Sequence, residues 1–298
     1  MNAKAESLQA SISKTAPVGL RPGTILAGLA VVLFATWWIF RGLADEPHFA
    51  DESAMIAQSY YYTLFKSGRW NHPDWLHYAA FDHPPLPKYF FGLSLELAGK
   101  RVPQSIEWWM NWSGYVWENG QWVRSKGGDF RPPEDPGVLY WARVPAAVFG
   151  VGGVLAAFFV GLQMRGRLVG ILAAMLLLAN PLYFTHARRA MSDSFAECLV
   201  IGSVAVGLWG GRELWAAKFC RWRWVVFMVA EAVLCGLAAL AKLNGGVAAV
   251  MALGLIVSGW LLATWGRLRA VHGQSVERPN GRNLLAGPVV AAARRIGC

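Results

Sequence analysis

The chain has 298 residues, of which 55% are apolar and 15% charged, with a net charge of +10. A soluble globular domain carries roughly 25% charged residues; here the apolar surplus is gathered into long runs, so an integral membrane protein is expected. The segment 41–137 holds 12 of the 18 acids and 9 of the 28 basic residues, which leaves it about −3 and the remainder about +13. That separation excludes a nucleic-acid-binding face, which would gather its cations on one soluble surface.

Residues 1–22 form a tail carrying Lys4, Lys14 and Arg21. The apolar run that follows, 23–40, is bulky near its end (Trp37, Trp38, Phe40) and lacks a small-residue cleavage site, so it reads as an uncleaved anchor. Its 18 residues make roughly 27 Å of helix at 1.5 Å per residue, the first membrane span. The polar segment 41–137 comes next. Within it, 84–99 is moderately apolar but carries Lys88 and Glu96, and reads as an interfacial or re-entrant helix. Trp108, Trp109, Trp112, Trp117 and Trp122 crowd the stretch after it, which suits either headgroup-level anchoring or a sugar-contacting surface. Asn111-Trp112-Ser113 is a glycosylation sequon.

Further spans are expected at 138–164, 168–183, 194–210, 224–240 and 246–265, which makes six, followed by a basic tail over 266–298. The four cysteines (Cys198, Cys220, Cys235, Cys298) have no metal or disulfide spacing. Placing the N-terminus in the cytoplasm puts Arg165, Arg167, Arg212, Lys218, Arg221, Arg223, Arg267 and Arg269 in inside loops, as the positive-inside bias requires. Segment 41–137 is then extracytoplasmic. Arg188, Arg189 and Lys242 fall on that outer side against the bias, and unpaired charge near the membrane is expensive. Either acids such as Asp51, Glu52 and Asp193 are their partners in structural ion pairs, or a bound phosphate headgroup is.

Candidate chemistry concentrates between Phe49 and Tyr89. Asp51-Glu52 precedes Ser53-Ala54-Met55-Ile56-Ala57, the first turns of a helix. Asp51 suits an N-cap, or a general base for an acceptor hydroxyl, and Asp45-Glu46 is a competing pair. In His83-Pro84-Pro85-Leu86-Pro87-Lys88 the prolines fix an extended turn and an abrupt helix start, which would present His83 and Lys88 to the same cavity as the acids. Two carboxylates, a rigid turn and a lysine at a membrane surface suggest a lipid-borne, charged substrate. His72, His77 and His83 with Asp74 and Asp82 offer a weak divalent-metal possibility, at a spacing that matches no standard site.

An acidic pair just after the first span, then His-Pro-Pro-Leu-x-Lys about thirty residues on, resembles glycosyltransferase family 39. These are the dolichyl-phosphate-mannose protein mannosyltransferases and their bacterial relatives, including the aminoarabinose transferases. Ala187-Arg188-Arg189-Ala190-Met191-Ser192-Asp193 looks like that family's Arg-x4-Asp element, and Ala241-Lys242-Leu243-Asn244-Gly245 is similar to its Ala-Lys-x-x-Gly element. The resemblance covers roughly 23–265 and implies an all-α, GT-C-type bundle of about six transmembrane helices with a large first extracytoplasmic loop. It also implies a multi-pass protein of the bacterial inner membrane, acting on the outer side. Asp51 takes the catalytic acidic position with Glu52 beside it. Arg188 and Lys242 hold the phosphate of a polyprenyl-phosphate sugar, while His83, Lys88 and Asp193 line the substrate site. The implied reaction is inverting transfer of a mannose-like or other sugar to a hydroxyl on protein, lipid or glycan, with no cofactor required. Family members usually carry further spans and often a C-terminal extramembrane domain, so this sequence reads as a shortened relative. The competing readings are a transporter or flippase of lipid-linked substrate, with Glu231 as an intramembrane charge, and a non-catalytic scaffold.

Overall fold

A computed structural model describes residues 21–105, 115–124, 133, 135–215, 221–247 and scattered positions between 249 and 265. The N-terminal tail to residue 20, Trp108, Trp109 and Trp112 with the sequon, half of the sixth expected span and the basic C-terminal tail lie outside the described residues.

The first span is helix α1, Pro22–Phe40, opened by Pro22 at a first-turn position where its missing N–H is no loss. Thr24, Gly28, Val31, Ala35 and Ile39 are buried, a stripe at helical spacing, while Leu26, Leu29, Leu33 and Trp37 are exposed on other faces. The polar segment is largely helical. It forms α2 (Ala50–Gln58), α3 (Tyr60–Lys66), a 3₁₀ turn at Pro73–Leu76, α4 (Tyr78–Asp82) and α5 (Pro85–Leu97). A hairpin follows, β1 (Tyr115–Glu118) and β2 (Gln121–Arg124), paired antiparallel with Trp117 opposite Trp122. Asn119 and Gly120 both have positive φ, the backbone that a two-residue hairpin turn demands. The expected all-α architecture is therefore corrected to a mostly helical one with this small two-stranded sheet.

The centre of the molecule is α6, Pro136–Arg165, against which α1, α5 and the next three helices all pack. Asp135 caps it by accepting from the Gly137 N–H at 2.8 Å, and Gly166, at φ 91°, ends it. Pro145 lies inside this helix and cannot donate to the carbonyl four residues back. That carbonyl, Trp141 O, instead accepts from Ser94 Oγ of α5 at 2.6 Å, so a missing helix bond becomes a tie between helices.

Helices α7 (Arg167–Ala179) and α8 (Pro181–Arg188) meet at a bend of 71°. The expected span at 168–183 is thus broken. Asn180 accepts from the N–H groups of Leu182 and Tyr183, and Pro181 occupies the first turn, so α8 begins as a new helix. α9 (Asp193–Trp215), α10 (Arg221–Ala241) and a 3₁₀ turn at Leu243–Gly246 follow. Among the described residues, α1, α6 and α9 are long and apolar enough to cross a membrane, and the bent α7–α8 pair makes a fourth candidate. α10 is apolar over the shorter Val225–Ala241.

Two cores flank α6. On one side Val31, Ala35 and Ile39 of α1 meet Val154 and Phe158 of α6, Leu178 of α7 and Ala187 of α8. On the other, Met55 and Ile56 of α2, Phe91 and Leu95 of α5, and Phe195 of α9 pack together, with the Phe149 and Phe195 rings 4.3 Å apart. The second core ties the helices of the polar segment to the bundle.

Candidate functional site

Successive residues of a helix point about 100° apart, and this separates the acidic pair. Asp51 is exposed at the start of α2 and has no hydrogen bond or ion pair among the described residues; Glu52 is fully buried. The expected N-cap role for Asp51 is not observed: the cap position is Phe49, whose N–H donates to Glu52 Oε2 at 3.0 Å.

Glu52 meets Arg143 of α6, also fully buried. Arg143 Nε and Nη2 donate to the two Glu52 oxygens, each at 2.8 Å. The other guanidinium N–H groups reach the carbonyls of Leu43 (3.0 Å), Glu46 (2.8 Å) and Pro47 (3.3 Å). A guanidinium has five N–H donors, and five acceptors surround this one. The Ala190 N–H adds a bond to Glu52 Oε1 at 2.8 Å, so Glu52 also accepts four in all, counting Phe49. A buried ion pair is tolerable only when its remaining valences are met in this way. Arg143 therefore wraps the 43–47 loop around itself while Glu52 joins the start of α2 to the segment after α8.

Around that segment lie Arg188, Arg189 and Lys242, the cations that the charge count leaves on the expected outer side. Arg188 donates to Gly42 O, lies 3.5 Å from Glu46 Oε2 and covers the Phe184 ring; Arg189 lies 3.6 Å from Glu46 Oε1 and covers the Phe49 ring. Gly42 has φ 69°, and a Cβ on it would stand 3.4 Å from Arg188, so a glycine suits that turn on both counts. Both Nε atoms are buried without a hydrogen-bond partner among the described residues. Lys242 pairs with Asp193, whose carboxylate lies 4.0 Å from His186 Nδ1; His186 in turn approaches Glu197 Oε1 at 3.3 Å. Protein carboxylates thus partner the off-bias cations, with Glu46 and Asp193 in that part.

His83 meets α2 at Gln58, whose Nε2 lies 3.4 Å from His83 Nδ1. Asp82 Oδ2 accepts from Gln58 Nε2 at 2.9 Å and lies 3.0 Å from His83 Nδ1. Gln58 is two turns along the helix from Asp51, on the same side. Lys88 goes elsewhere: its ammonium donates to the carbonyls of Ala79 (2.8 Å) and Ala80 (3.0 Å) in α4 and lies over the Tyr61 ring. Burial pushes its pKa down to about 8, with Asp82 opposing the shift. His48, bonded to Ser53 Oγ at 2.8 Å, is also held below the usual imidazole value by burial.

Of the candidate metal ligands, His72 sits with Asp74, and Asp82 with His83, while His77 Nδ1 accepts from the Ala79 N–H at the start of α4. Among the described residues no three such side chains converge. Glu231, central to the transporter reading, is buried midway along α10, with Cys235 Sγ 3.9 Å from one oxygen and no hydrogen-bond partner on the other among the described residues.

Sequence reasoning missed Arg143, Gln58 and His186. Arg143 had a signal, a charge within an apolar run; Gln58 and His186 had none beyond their residue types. Comparison with protein-family models, with curated proteins and with solved structures returns no match.

Proposed function

We propose that this chain is a membrane glycosyltransferase that takes its sugar from a polyprenyl-phosphate donor. The observation that carries the reading is the Glu52–Ala190 hydrogen bond, which docks the acidic start of α2 on the Arg188–Asp193 segment. Asp51, without a hydrogen bond or ion pair among the described residues, is the chain neighbour of Glu52, which bonds to the segment that Arg188 and Arg189 lead into.

In this reaction an acceptor hydroxyl attacks the anomeric carbon while its proton passes to Asp51. The bond from that carbon to the phosphate oxygen breaks on the opposite face, and the configuration inverts. Charge developing on the departing phosphate is met by Arg188 and Lys242, whose guanidinium and ammonium groups suit phosphate oxygens. Glu52, with all its acceptor sites engaged, positions Asp51 and takes no proton. His83 acts at a distance through Gln58, and Lys88 supports α4. The acceptor is a hydroxyl on protein, lipid or glycan.

The test is transfer of labelled sugar from polyprenyl-phosphate donors in membranes holding this chain. Transfer by the native protein and a loss of about 10²–10⁴-fold in Asp51→Asn at equal expression is the expected result. Unchanged transfer in Asp51→Asn would remove Asp51 from the mechanism, and absence of transfer from every donor would refute the proposal.

A further inference from the structure

The chain between Phe65 and Phe81 leaves an unusual amount of apolar surface bare for a stretch outside the spanning helices. Trp70 is 60% exposed, Leu76 81%, Tyr78 64% and Phe81 71%, with Phe65 beside them. These side chains do not cap a loose loop. The Phe65 ring meets Trp70 edge-on at 5.2 Å, Trp70 stacks on Trp75 at 6.5 Å, and Trp75 Nε1 donates to Arg69 O at 2.8 Å. Beneath them Tyr60, Tyr61, Leu64 and Ala79 form a small buried core of their own.

The charges are sorted as well. The acid of the stretch, Asp74, and the one just after it, Asp82, are both engaged: Asp74 accepts from Tyr60 Oη at 2.7 Å, and Asp82 from Gln58 and from Tyr78 Oη. Glu96, at the edge, is tied to Lys66 and Tyr62. The outward face is left with aromatic and aliphatic groups, Lys66, and an exposed Arg69 whose Nε donates to Ser67 Oγ. Aromatic rings with cations at their margin and carboxylates withdrawn make the composition favoured at the headgroup level of a bilayer.

We infer that this face, Phe65 to Phe81, is a membrane-seated foot: its apolar side chains enter the headgroup–acyl boundary of the bilayer that α1 and α6 cross, with Arg69 among the phosphates. The occupant is lipid, and anionic headgroups suit the face best. The foot would hold the α2–α5 helices against the bilayer, independent of whether the chain transfers sugar.

Depth measurement tests this directly. Nitroxides are placed on Leu76→Cys and Phe81→Cys, in a full chain with its native cysteines replaced by serine, reconstituted into phosphatidylcholine–phosphatidylglycerol vesicles. Both positions are exposed, so the label does not disturb packing. Leu33→Cys on the outer face of α1 gives the in-bilayer reference. The expected result is greater collision with oxygen than with a water-soluble nickel chelate, at a depth of about 5–10 Å. Free access by the nickel chelate at both positions would overturn the inference and leave an aqueous platform for a sugar or peptide. Protection from both relaxants would also overturn it, since protein would then be the cover.

Discussion

Arg143 and Glu52 together join the 43–47 loop, α2, α6 and the segment after α8. Arg143→Met leaves the Glu52 carboxylate buried and unpaired, which costs about 3–5 kcal/mol. Replacing both, Arg143→Met with Glu52→Leu, removes the stranded charge, and we expect part of the loss to return. Unfolding of the three variants in detergent measures this. Lys88 makes a separate prediction, through pH. Its folded-state pKa is about 8 against an ordinary 10.5, so between these values the unfolded chain binds more protons than the folded one. Stability therefore rises with pH across that window, because deprotonation relieves the burial penalty. A melting curve followed from pH 8 to 10.5 should show the rise in the native protein and its loss in Lys88→Met. The acidic pair was legible in the sequence, but which acid turns inward was not. That choice belongs to Arg143, 91 residues away.

At the scale of elements, two prolines show how much a local signal settles. Asn180-Pro181 is a turn-initiating pair, yet it lies within a continuous apolar run, and hydropathy alone reads that run as one straight span. The capping bonds of Asn180 break it. Pro145 has the opposite outcome: the helix runs on, and the vacated carbonyl is taken by Ser94. Ser94→Ala should destabilise the α5–α6 contact by about 1 kcal/mol. The same change made together with Pro145→Ala should cost less, because the restored N–H supplies Trp141 O from within the helix. Thermal unfolding of the two single variants and the double variant measures this coupling.

For the whole molecule, helix positions were readable from apolar run length, which is why 23–40, 138–164 and 194–210 recur as α1, α6 and α9. The helices of the polar segment were not, apart from the start of α2 and a helix expected over 84–99, found as α5. They are short and stabilised by distant contacts such as Phe91 with Phe195, where periodicity is weak and tertiary packing decides. The four sequence elements used for the family resemblance lie far apart in the chain, and two of them bond to a third, Glu52 to Ala190 and Lys242 to Asp193. The charge pattern also sets an expected orientation. In intact cells an impermeant thiol reagent should label Gln121→Cys and leave Arg165→Cys untouched, each in a chain without its native cysteines. The reverse pattern would invert the topology.

The Arg143 clamp also has a history within each newly made molecule. Glu52 is synthesised 91 residues before Arg143 and 138 before Ala190. At about 5–20 residues per second, its carboxylate waits roughly 5–18 s for the guanidinium and roughly 7–28 s for the amide. Until then the 43–47 strap has no hub to close on. The segment that leaves the ribosome early is therefore among the last to be locked. A chain lacking Arg143 should stall late, with its first helix already inserted, as an assembly intermediate open to proteases at the unclosed strap.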